Sequence, residues 1–296
     1  MEEEFYCAFD ACAAPANCST EAASRHTDTK FAAMLLTNCA SCAAPLPHLA
    51  KQCGRCKTRY CSPACQEQHW GAGHSDHCRR IKRGGGAEAY HADKKYKEVA
   101  ALAVECAEEA KGQTCYICRD ERPDEGLVRM CACHTTEGFA HLSCLARQAQ
   151  ILVDEVEEDK LGDAALMSRW PRWYTCNLCG QFYHGAVRCA LGWACWKTYV
   201  GRPENDRVRS MAMYQVASAL YYDKQYGEAL PLLRAQEAEI IRFKMCSDGR
   251  YIQSTRIHSS IGRLRAANSL LPYSFSFAIS PQGILDGEEG EFVVAS

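Results

Sequence analysis

The chain has 296 residues, enough for several small domains, and its 34 basic residues nearly balance its 36 acidic ones. This balance gives no overall field that would favour nucleic acid, and no apolar run reaches the eighteen or so residues of a membrane span. The 21 cysteines, many of them paired and close to histidines, indicate metal binding in a reducing intracellular compartment, cytoplasmic or nuclear.

Residues 1–36 are rich in alanine, serine and threonine, and this composition predicts a flexible tail. The tail contains Cys7, Cys12 and Cys18. A metal site there would need a fourth ligand, for which His26 is the nearest candidate. The irregular spacing favours a tail without metal.

The first dense run of metal-ligand residues extends from Cys39 to Cys78. Its pairs are Cys39-x2-Cys42, Cys53-x2-Cys56, Cys61-x3-Cys65 and His74-x3-Cys78. Together with Tyr60 before Cys61 and Trp70 ahead of the histidine, they resemble a MYND-type zinc finger over residues 39–78. The resemblance implies one zinc ion held by Cys39, Cys42, Cys61 and Cys65, and a second held by Cys53, Cys56, His74 and Cys78.

The histidine ligand of this finger has alternatives. Three residues separate Trp70 from His74, where the family usually has two, and His69 and His77 lie close by. Cys65 and His69 are also four residues apart, which would place them on one face of a helix. The three-residue step from His74 to Cys78 matches the last pair of the family and favours His74.

MYND fingers bind other proteins, often through proline-containing peptides in a groove beside the second zinc. The resemblance therefore implies a peptide partner near Trp70 and Gln66. The alternative is that Trp70 only packs the core of a very small domain.

Residues 87–111 have a helical composition. Tyr96, Val99, Ala103, Cys106 and Ala110 recur at steps of three and four residues, which predicts a connecting helix with one apolar face. We expect this face to pack on the module that follows, with Cys106 as a core residue.

The second run of ligands contains four close pairs. They are Cys115-x2-Cys118, Cys131-x-Cys133, His141-x2-Cys144 and Cys176-x2-Cys179. Eight such ligands suit two closed tetrahedral zinc sites, so four zinc ions are expected for the whole chain. The order of four cysteines, one histidine and three cysteines resembles a RING-CH (RING-variant) finger.

In that family the first and third pairs hold one ion, and the second and fourth pairs hold the other. Site one would therefore contain Cys115, Cys118, His141 and Cys144, and site two would contain Cys131, Cys133, Cys176 and Cys179. A PHD finger shares this ligand order but usually spaces its second pair more widely. His134, directly after Cys133, is the rival histidine.

The insert between Cys144 and Cys176 predicts a helix over residues 145–161 that Gly162 ends, and Trp173 is the expected core aromatic residue before the last pair. Beyond that pair, Cys189 and Cys195 form no close pair. Residues 112–200 are therefore expected to form the finger with a packed extension.

Residues 208–271 predict helices that resemble a tetratricopeptide (TPR) repeat, on Ala217, Leu220, Tyr226, Ala229 and Leu233, with a second repeat start at residues 257–264. Residues 272–296 predict an irregular tail. The expected fold class is thus α+β, with small zinc-stabilised modules, a MYND finger and a cross-braced RING-CH-like finger, joined to helical segments.

The RING-CH resemblance implies a ubiquitin ligase that works without covalent catalysis by binding a ubiquitin-conjugating enzyme. Ile117, between the first two ligands, is where the family places an apolar contact to that enzyme, and Gly180 stands where active ligases often carry a basic residue. The alternative is a non-enzymatic adaptor. A SET-and-MYND lysine methyltransferase would need SET motifs, which the sequence lacks, and a PHD-type finger would bind histone tails.

Overall fold

A computed structural model describes residues 37–46, 50–105, 110, 112–120, 124–129, 131, 133 and 138–244. For residues 105 and 237–244 it describes the backbone alone. We call residues 39–78 the first finger and residues 115–179 the second finger.

The first finger combines a short hairpin with two helices. Its elements are strand β1 (Lys51–Gln52), strand β2 (Arg59–Tyr60), helix α1 (Pro63–His69), a π-helical turn (Trp70–His74) and helix α2 (Ser75–Arg83). The strands are antiparallel, with Lys51 opposite Tyr60. Cys39 and Cys42 lie in a turn before β1, between the bridged residues Asn38 and Pro45, and the other six predicted ligands lie in the hairpin, in the helices or between them.

Local sequence determines where these helices begin and bend. Helix α1 begins at Pro63, and the Ser62 hydroxyl accepts a hydrogen bond from the Cys65 amide at 3.2 Å, as expected of an N-cap. The path bends at Gly73, whose φ of 111° is available to glycine at little cost. This bend turns His74 into the finger, where its side chain is buried.

Helix α3 (Ala87–Glu105) is anchored to the first finger at its start. The Ala87 amide donates to the Cys56 carbonyl at 2.8 Å, and Ala87 is buried. Gly86, with φ of 98°, closes the end of α2 by donating to the Ile81 carbonyl. The link between α2 and α3, residues 84–86, is therefore a hydrogen-bonded turn.

The second finger contains helix α4 (Leu142–Glu158), helix α5 (Gly162–Arg169) and a 3-10 helix (Trp170–Trp173). Isolated bridges pair Val128 with Ala140 and Thr175 with Phe182. Glu125 holds the start of α4, because its carboxylate accepts hydrogen bonds from the Ser143 amide and hydroxyl at 2.7 and 2.6 Å. The prediction that Gly162 ends this helix is wrong: α4 ends at Glu158, and Gly162 begins the next helix.

The rest of the described chain is helical. Helices α6 (Gly185–Tyr199), α7 (Arg207–Tyr222) and α8 (Tyr226–Lys244) follow the second finger, and α3, α6, α7 and α8 pack in that order, each on the next. Gly192 allows a close approach of α6 to α7, because a Cβ there would lie 3.0 Å from the Ala219 Cβ.

A helical core joins the second finger to this stack. Trp173 and Trp196 are among the fully buried side chains there, and Ala149 and Val153 of α4 pack into the same core. Near its end α3 contributes Ala103 to the core of the second finger, as predicted, whereas its first half packs on α6. Cys106 and residues 257–264 lie outside the described residues.

The predicted combination of small metal-binding modules with helices is therefore confirmed. Residues 207–244 form a helical hairpin in which Ala217, Leu220, Ala229 and Leu233 are buried. Within the described residues, no helix is both long and apolar enough to cross a membrane.

Candidate metal centres

The sixteen predicted ligands lie in four clusters, and within each cluster the four ligand atoms lie within 4.8 Å of one another. The first finger contributes Cys39, Cys42, Cys61 and Cys65, and separately Cys53, Cys56, His74 and Cys78. The second finger contributes Cys115, Cys118, His141 and Cys144, and separately Cys131, Cys133, Cys176 and Cys179. Each cluster offers the four ligands of one closed site.

Distances between sulfur atoms fit tetrahedral zinc. Zinc–sulfur bonds of about 2.3 Å in a tetrahedron place two sulfurs about 3.8 Å apart. The Sγ atoms of Cys42 and Cys61 lie 3.5 Å apart, and those of Cys133 and Cys176 lie 3.8 Å apart. A disulfide would require about 2.05 Å. The cysteines of the described residues are free thiols, so the clusters fit metal rather than disulfides.

Both cluster histidines present one ring nitrogen to the sulfurs. His74 Nε2 lies 3.3 Å from the Cys56 Sγ, and His141 Nδ1 lies 3.4 Å from the Cys118 Sγ and 3.7 Å from the Cys144 Sγ. Their side chains are buried. A neutral imidazole at these distances can complete a zinc site with three thiolates.

The rival histidines of the first finger have other partners. His69 Nδ1 lies 3.0 Å from the Tyr60 hydroxyl, and His77 is exposed with its Nδ1 3.2 Å from the Gly73 carbonyl oxygen. The structure therefore brings His74, and neither of these two, into the cluster. His134, the rival in the second finger, lies outside the described residues, as do Cys7, Cys12, Cys18 and His26.

Four knuckles share one backbone geometry, which the sequence analysis did not predict. In each Cys-x2-Cys pair, the residue after the second cysteine has a left-handed conformation and its amide donates to the carbonyl of the first cysteine at 2.8 to 3.0 Å. These residues are Ala43, Lys57, Arg119 and Gly180. Only one of the four is glycine, which is why turn chemistry alone did not reveal the motif.

This turn aims backbone amides at the first sulfur of each knuckle. Burial raises the pKa of the Cys39 thiol, but hydrogen bonds from backbone amides, including that of Cys42, outweigh burial and lower this pKa to about 6. The same balance lowers the pKa of Cys115 to about 7, and it also lowers the pKa of Cys53 and of Cys176. The backbone of every knuckle thus favours the thiolate form of its first cysteine, which is the form that binds metal.

Three other cysteines of the clusters, Cys61, Cys78 and Cys144, have raised pKa values. A shared hydrogen bond with Cys65 raises the pKa of Cys61 to about 12, and burial raises the pKa of Cys78 and of Cys144 to about 12. Neighbouring sulfurs cannot all ionise without a cation between them. Metal binding would therefore release protons from these thiols and hold the cluster together.

The two clusters of each finger are interleaved along the chain. In both fingers the first and third pairs form one cluster and the second and fourth pairs form the other. Each ion would therefore close a loop that contains ligands of its neighbour. This arrangement is the cross-brace that the resemblance to the two finger families implied, and it makes the two sites of a finger one structural unit.

Ile117 borders an open cleft beside the first site of the second finger. The side chain is half-buried and lies across from helix α4, which contributes Arg147, Ile151 and Leu152 to a cleft of about 540 Å³. Ile151 remains 40% exposed. Cys144, Arg147 and Ile151 recur at helical spacing, a signal that could have placed these α4 residues beside Ile117 in advance.

Trp70 lies at the surface of the first finger. It is 43% exposed, and its ring packs edge-on against His74 with the centroids 5.8 Å apart. The alternative in which Trp70 only fills the core does not describe this position. Gln66, the other residue expected near a peptide, is half-buried on the preceding helix.

Cys189 and Cys195 are buried in helix α6 and belong to no cluster among the described residues. Burial raises the pKa of both thiols well above its usual value. They pack as small core residues, as the packed-extension hypothesis predicted.

These features define a protein with two cross-braced fingers, each suited to two zinc ions. Comparison with known families agrees: the chain contains a MYND finger at residues 39–78 and a RING-variant domain at residues 115–158. The RING-variant match ends with α4 and does not include Cys176 and Cys179. In the structure these two cysteines lie in one cluster with Cys131 and Cys133. The comparisons with curated proteins and with solved structures found no match.

Proposed function

We propose that this chain is a ubiquitin ligase of the RING-variant type. In this proposal, the sixteen clustered side chains bind four zinc ions whose role is structural. The second finger binds a ubiquitin-conjugating enzyme and holds its ubiquitin thioester in a reactive orientation. Rate enhancement then comes from positioning, with no nucleophile supplied by this chain.

The observation that carries the proposal is the open cleft between Ile117 and helix α4. Its apolar side chains, Ile117, Ile151 and Leu152, lie beside a rigid knuckle, and Arg147 adds a charge at the edge. Exposed apolar residues with a polar rim are typical of protein-binding surfaces. The first zinc would fix the knuckle and the start of α4, and thereby the shape of the cleft.

The other modules would select the substrate. Exposed Trp70 and neighbouring Gln66 support binding of proline-containing peptides at the MYND finger. We also interpret α7 and α8 as a TPR-like unit, supported by the buried small residues Ala217 and Ala229 at their contact. We place the protein in the cytoplasm or nucleus, where free thiols persist.

An autoubiquitination assay with a panel of conjugating enzymes tests the proposal. We expect activity from the wild type and a rate about 5 to 30 times lower for Ile117→Ala, because truncation removes roughly 1–2 kcal/mol of apolar contact. Leu161→Ala is the matched control, since Leu161 is an exposed apolar residue that does not border the cleft. Equal losses in both variants, or no activity with any enzyme, would contradict the proposal.

Gly180→Arg provides a gain-of-function arm. Gly180 has φ of 72° with no atom within 4 Å of an added Cβ, and Lys57 and Arg119 occupy the equivalent knuckle position with φ of 65° and 62°. An arginine should therefore fit, and we expect it to raise ligase activity by supplying the basic residue that active RING ligases often carry at this position.

A non-enzymatic adaptor is the second candidate function. The exposed Trp70 favours it independently of the cleft, because peptide binding at the first finger needs no conjugating enzyme. A pull-down that recovers stable partners, together with failure of the conjugation assay, would support the adaptor.

A further inference from the structure

A cavity of about 230 Å³ lies between the helices and the end of the second finger, and its lining contains none of the clustered metal ligands. We call it the arginine cavity, defined by Arg188, Gln215, Gln236, Trp170, Phe182 and Tyr222. Its polar residues come from helices α6, α7 and α8, and its aromatic residues form the walls. It therefore occurs where the helical stack meets the end of the second finger.

Arg188 is a buried cation in this cavity. It is 7% exposed, its Nη2 donates to the Ser218 hydroxyl at 3.5 Å, and its guanidinium lies 4.0 Å from the centre of the Tyr222 ring. The Nε is buried without a hydrogen-bond partner. In the described part of the chain no ion pair neutralises this charge.

Arg209 differs from Arg188 in having an ion-pair partner. Arg209 is also buried and its Nε also has no hydrogen-bond partner, but its guanidinium pairs with the Glu88 carboxylate at 3.1 Å and donates to the Val200 carbonyl. Burying a charge without an opposite charge beside it destabilises the folded protein, because the lost hydration of the charge is not compensated. A carboxylate from another molecule would supply the missing partner of Arg188.

Two more polar groups of the cavity have unused hydrogen-bonding capacity. Gln215 and Gln236 are 3% and 2% exposed, and the Gln215 Nε2 and the Gln236 Oε1 have no hydrogen-bond partner. These atoms, like the Arg188 Nε, have almost no accessible surface, so they do not face a ligand in the cavity directly. The guanidinium of Arg188, which lines the cavity, is the group that presents N–H donors to a carboxylate.

The volume of the cavity and the exposed apolar side chains at its opening indicate which kind of ligand it can bind. Sites for small molecules usually measure about 300–1,000 Å³, so this cavity suits a single residue better than a whole cofactor. Phe182 and Tyr222 at the mouth are 48% and 60% exposed, and Met167 beside them is 43% exposed. These surfaces would contact apolar side chains next to the bound carboxylate.

We propose that the arginine cavity binds a carboxylate of a partner peptide, with an apolar residue of that peptide packed against the exposed surfaces of Phe182 and Tyr222. This site goes beyond the proposed ligase activity and serves an adaptor equally well. The carboxylate can be a free C-terminus or an acidic side chain, because both present the same pair of oxygens to Arg188.

Fluorescence anisotropy with four labelled octapeptides distinguishes these sources. One peptide ends in leucine with a free carboxylate, and its partner has the same sequence with an amidated end. The other two are amidated, and they carry either glutamate or glutamine before an internal leucine. Binding that requires the free end assigns a C-terminal carboxylate, and binding that requires glutamate assigns a side chain. Either result supports the site.

Arg188→Gln tests the assigned contact on the full chain. We expect binding at least about tenfold weaker, since a hydrogen bond to a charged group is lost. Arg202→Gln is the matched control: Arg202 also stacks on a tyrosine, Tyr199, but pairs with Glu157 outside the cavity. Unchanged affinity in Arg188→Gln, or no binding of any charged peptide at millimolar concentration, would overturn the proposal.

A melting experiment separates binding from a purely structural role. If Arg188 is present for a ligand, Arg188→Gln should melt no lower than the wild type, because the variant removes an unpaired buried charge. Phe182→Ala, at an exposed position, should weaken peptide binding several-fold without changing the fold. A large fall in the melting temperature of Arg188→Gln, together with unchanged binding by Phe182→Ala, would count against the site.

Discussion

Replacing His74 with alanine should remove one zinc ion from the chain, whereas replacing His69 or His77 should remove none. His74 is buried with its Nε2 3.3 Å from the Cys56 Sγ, but His69 contacts the Tyr60 hydroxyl and His77 is exposed. The three histidines lie within nine residues of one another, so the variants form a matched set on one short segment.

The magnitude of the effect follows from the ligand count of the site. A structural zinc site contributes an apparent 10–16 kcal/mol, so loss of one ligand in four removes roughly 2.5–4 kcal/mol and weakens zinc binding by about 10² to 10³. The first finger has little else to compensate. Four of the seven buried residues in its core are ligand cysteines, and the remaining three are Tyr60, Ile81 and Ala87.

Native mass spectrometry after equilibration with a competing chelator measures the result. We expect four ions in the wild type, in His69→Ala and in His77→Ala, and three in His74→Ala. His69→Ala should still lower the melting temperature, since the Tyr60 hydroxyl loses its partner. Retention of four ions by His74→Ala, with loss of one by either neighbour, would refute the ligand assignment.

Three further predictions concern the helices and the metal. Gly192→Val should destabilise the chain by about 2–3 kcal/mol in denaturant unfolding, because its Cβ would meet the Ala219 Cβ at 3.0 Å. The control Gly201→Val, with no atom within 4 Å of its Cβ, should cost less than about 1 kcal/mol. Equal costs for the two variants would contradict the close contact between α6 and α7. Burial lowers the pKa of His91 from 6.5 to about 4, so the unfolded chain binds the proton first and stability falls as the pH drops from 6.5 towards 4. At pH 5 the loss of stability caused by His91 amounts to about 2 kcal/mol. Unfolding measured over this pH range should show a smaller loss for His91→Leu than for the wild type, and equal losses would contradict the prediction. Removing zinc with a chelator should unfold both fingers and leave much of the helical signal in circular dichroism. Part of α4 should remain helical, because its Val153 packs in the helical core. Complete loss of the helical signal would contradict this prediction and show that helices α3, α6, α7 and α8 depend on metal.

The metal clusters could be predicted from the sequence because zinc chemistry restricts ligand type and spacing. Spacings such as Cys115-x2-Cys118 identify the ligand pairs, the resemblance to the two finger families implied which pairs share an ion, and the structure assembles the same groups. The three-residue step to Cys78 favoured His74 over His69, and the structure, which places His74 in the cluster, shows the physical reason. The bend at Gly73 decides which imidazole turns inward, and a single glycine does not reveal its direction in the sequence.

Helix α6 was not predicted as a helix, and its burial explains why. Eleven of the fifteen residues of α6 are buried, so its apolar residues surround the helix and show no period of three to four. The arginine cavity was missed for a related reason. Arg188 and Gln236 lie far apart in sequence, and only the stacking of α6, α7 and α8 brings them together.

The sequence predicted only one of the two elements that helix α3 contacts. The apolar face from Tyr96 to Ala103 predicted packing on the following finger, and Ala103 does contribute there. The first half of α3 packs on α6 instead. A periodic apolar face predicts that a helix is covered, but it does not identify the covering element.

Zinc K-edge X-ray absorption on the intact chain, with the metal content measured on the same sample, tests the central claim most directly. Fourteen cysteines and two histidines around four ions predict four zincs per chain, with an average of about 3.5 sulfurs at about 2.3 Å and the rest nitrogen. A spectrum dominated by oxygen or nitrogen, or fewer than four zincs in a fully folded chain, would contradict the account.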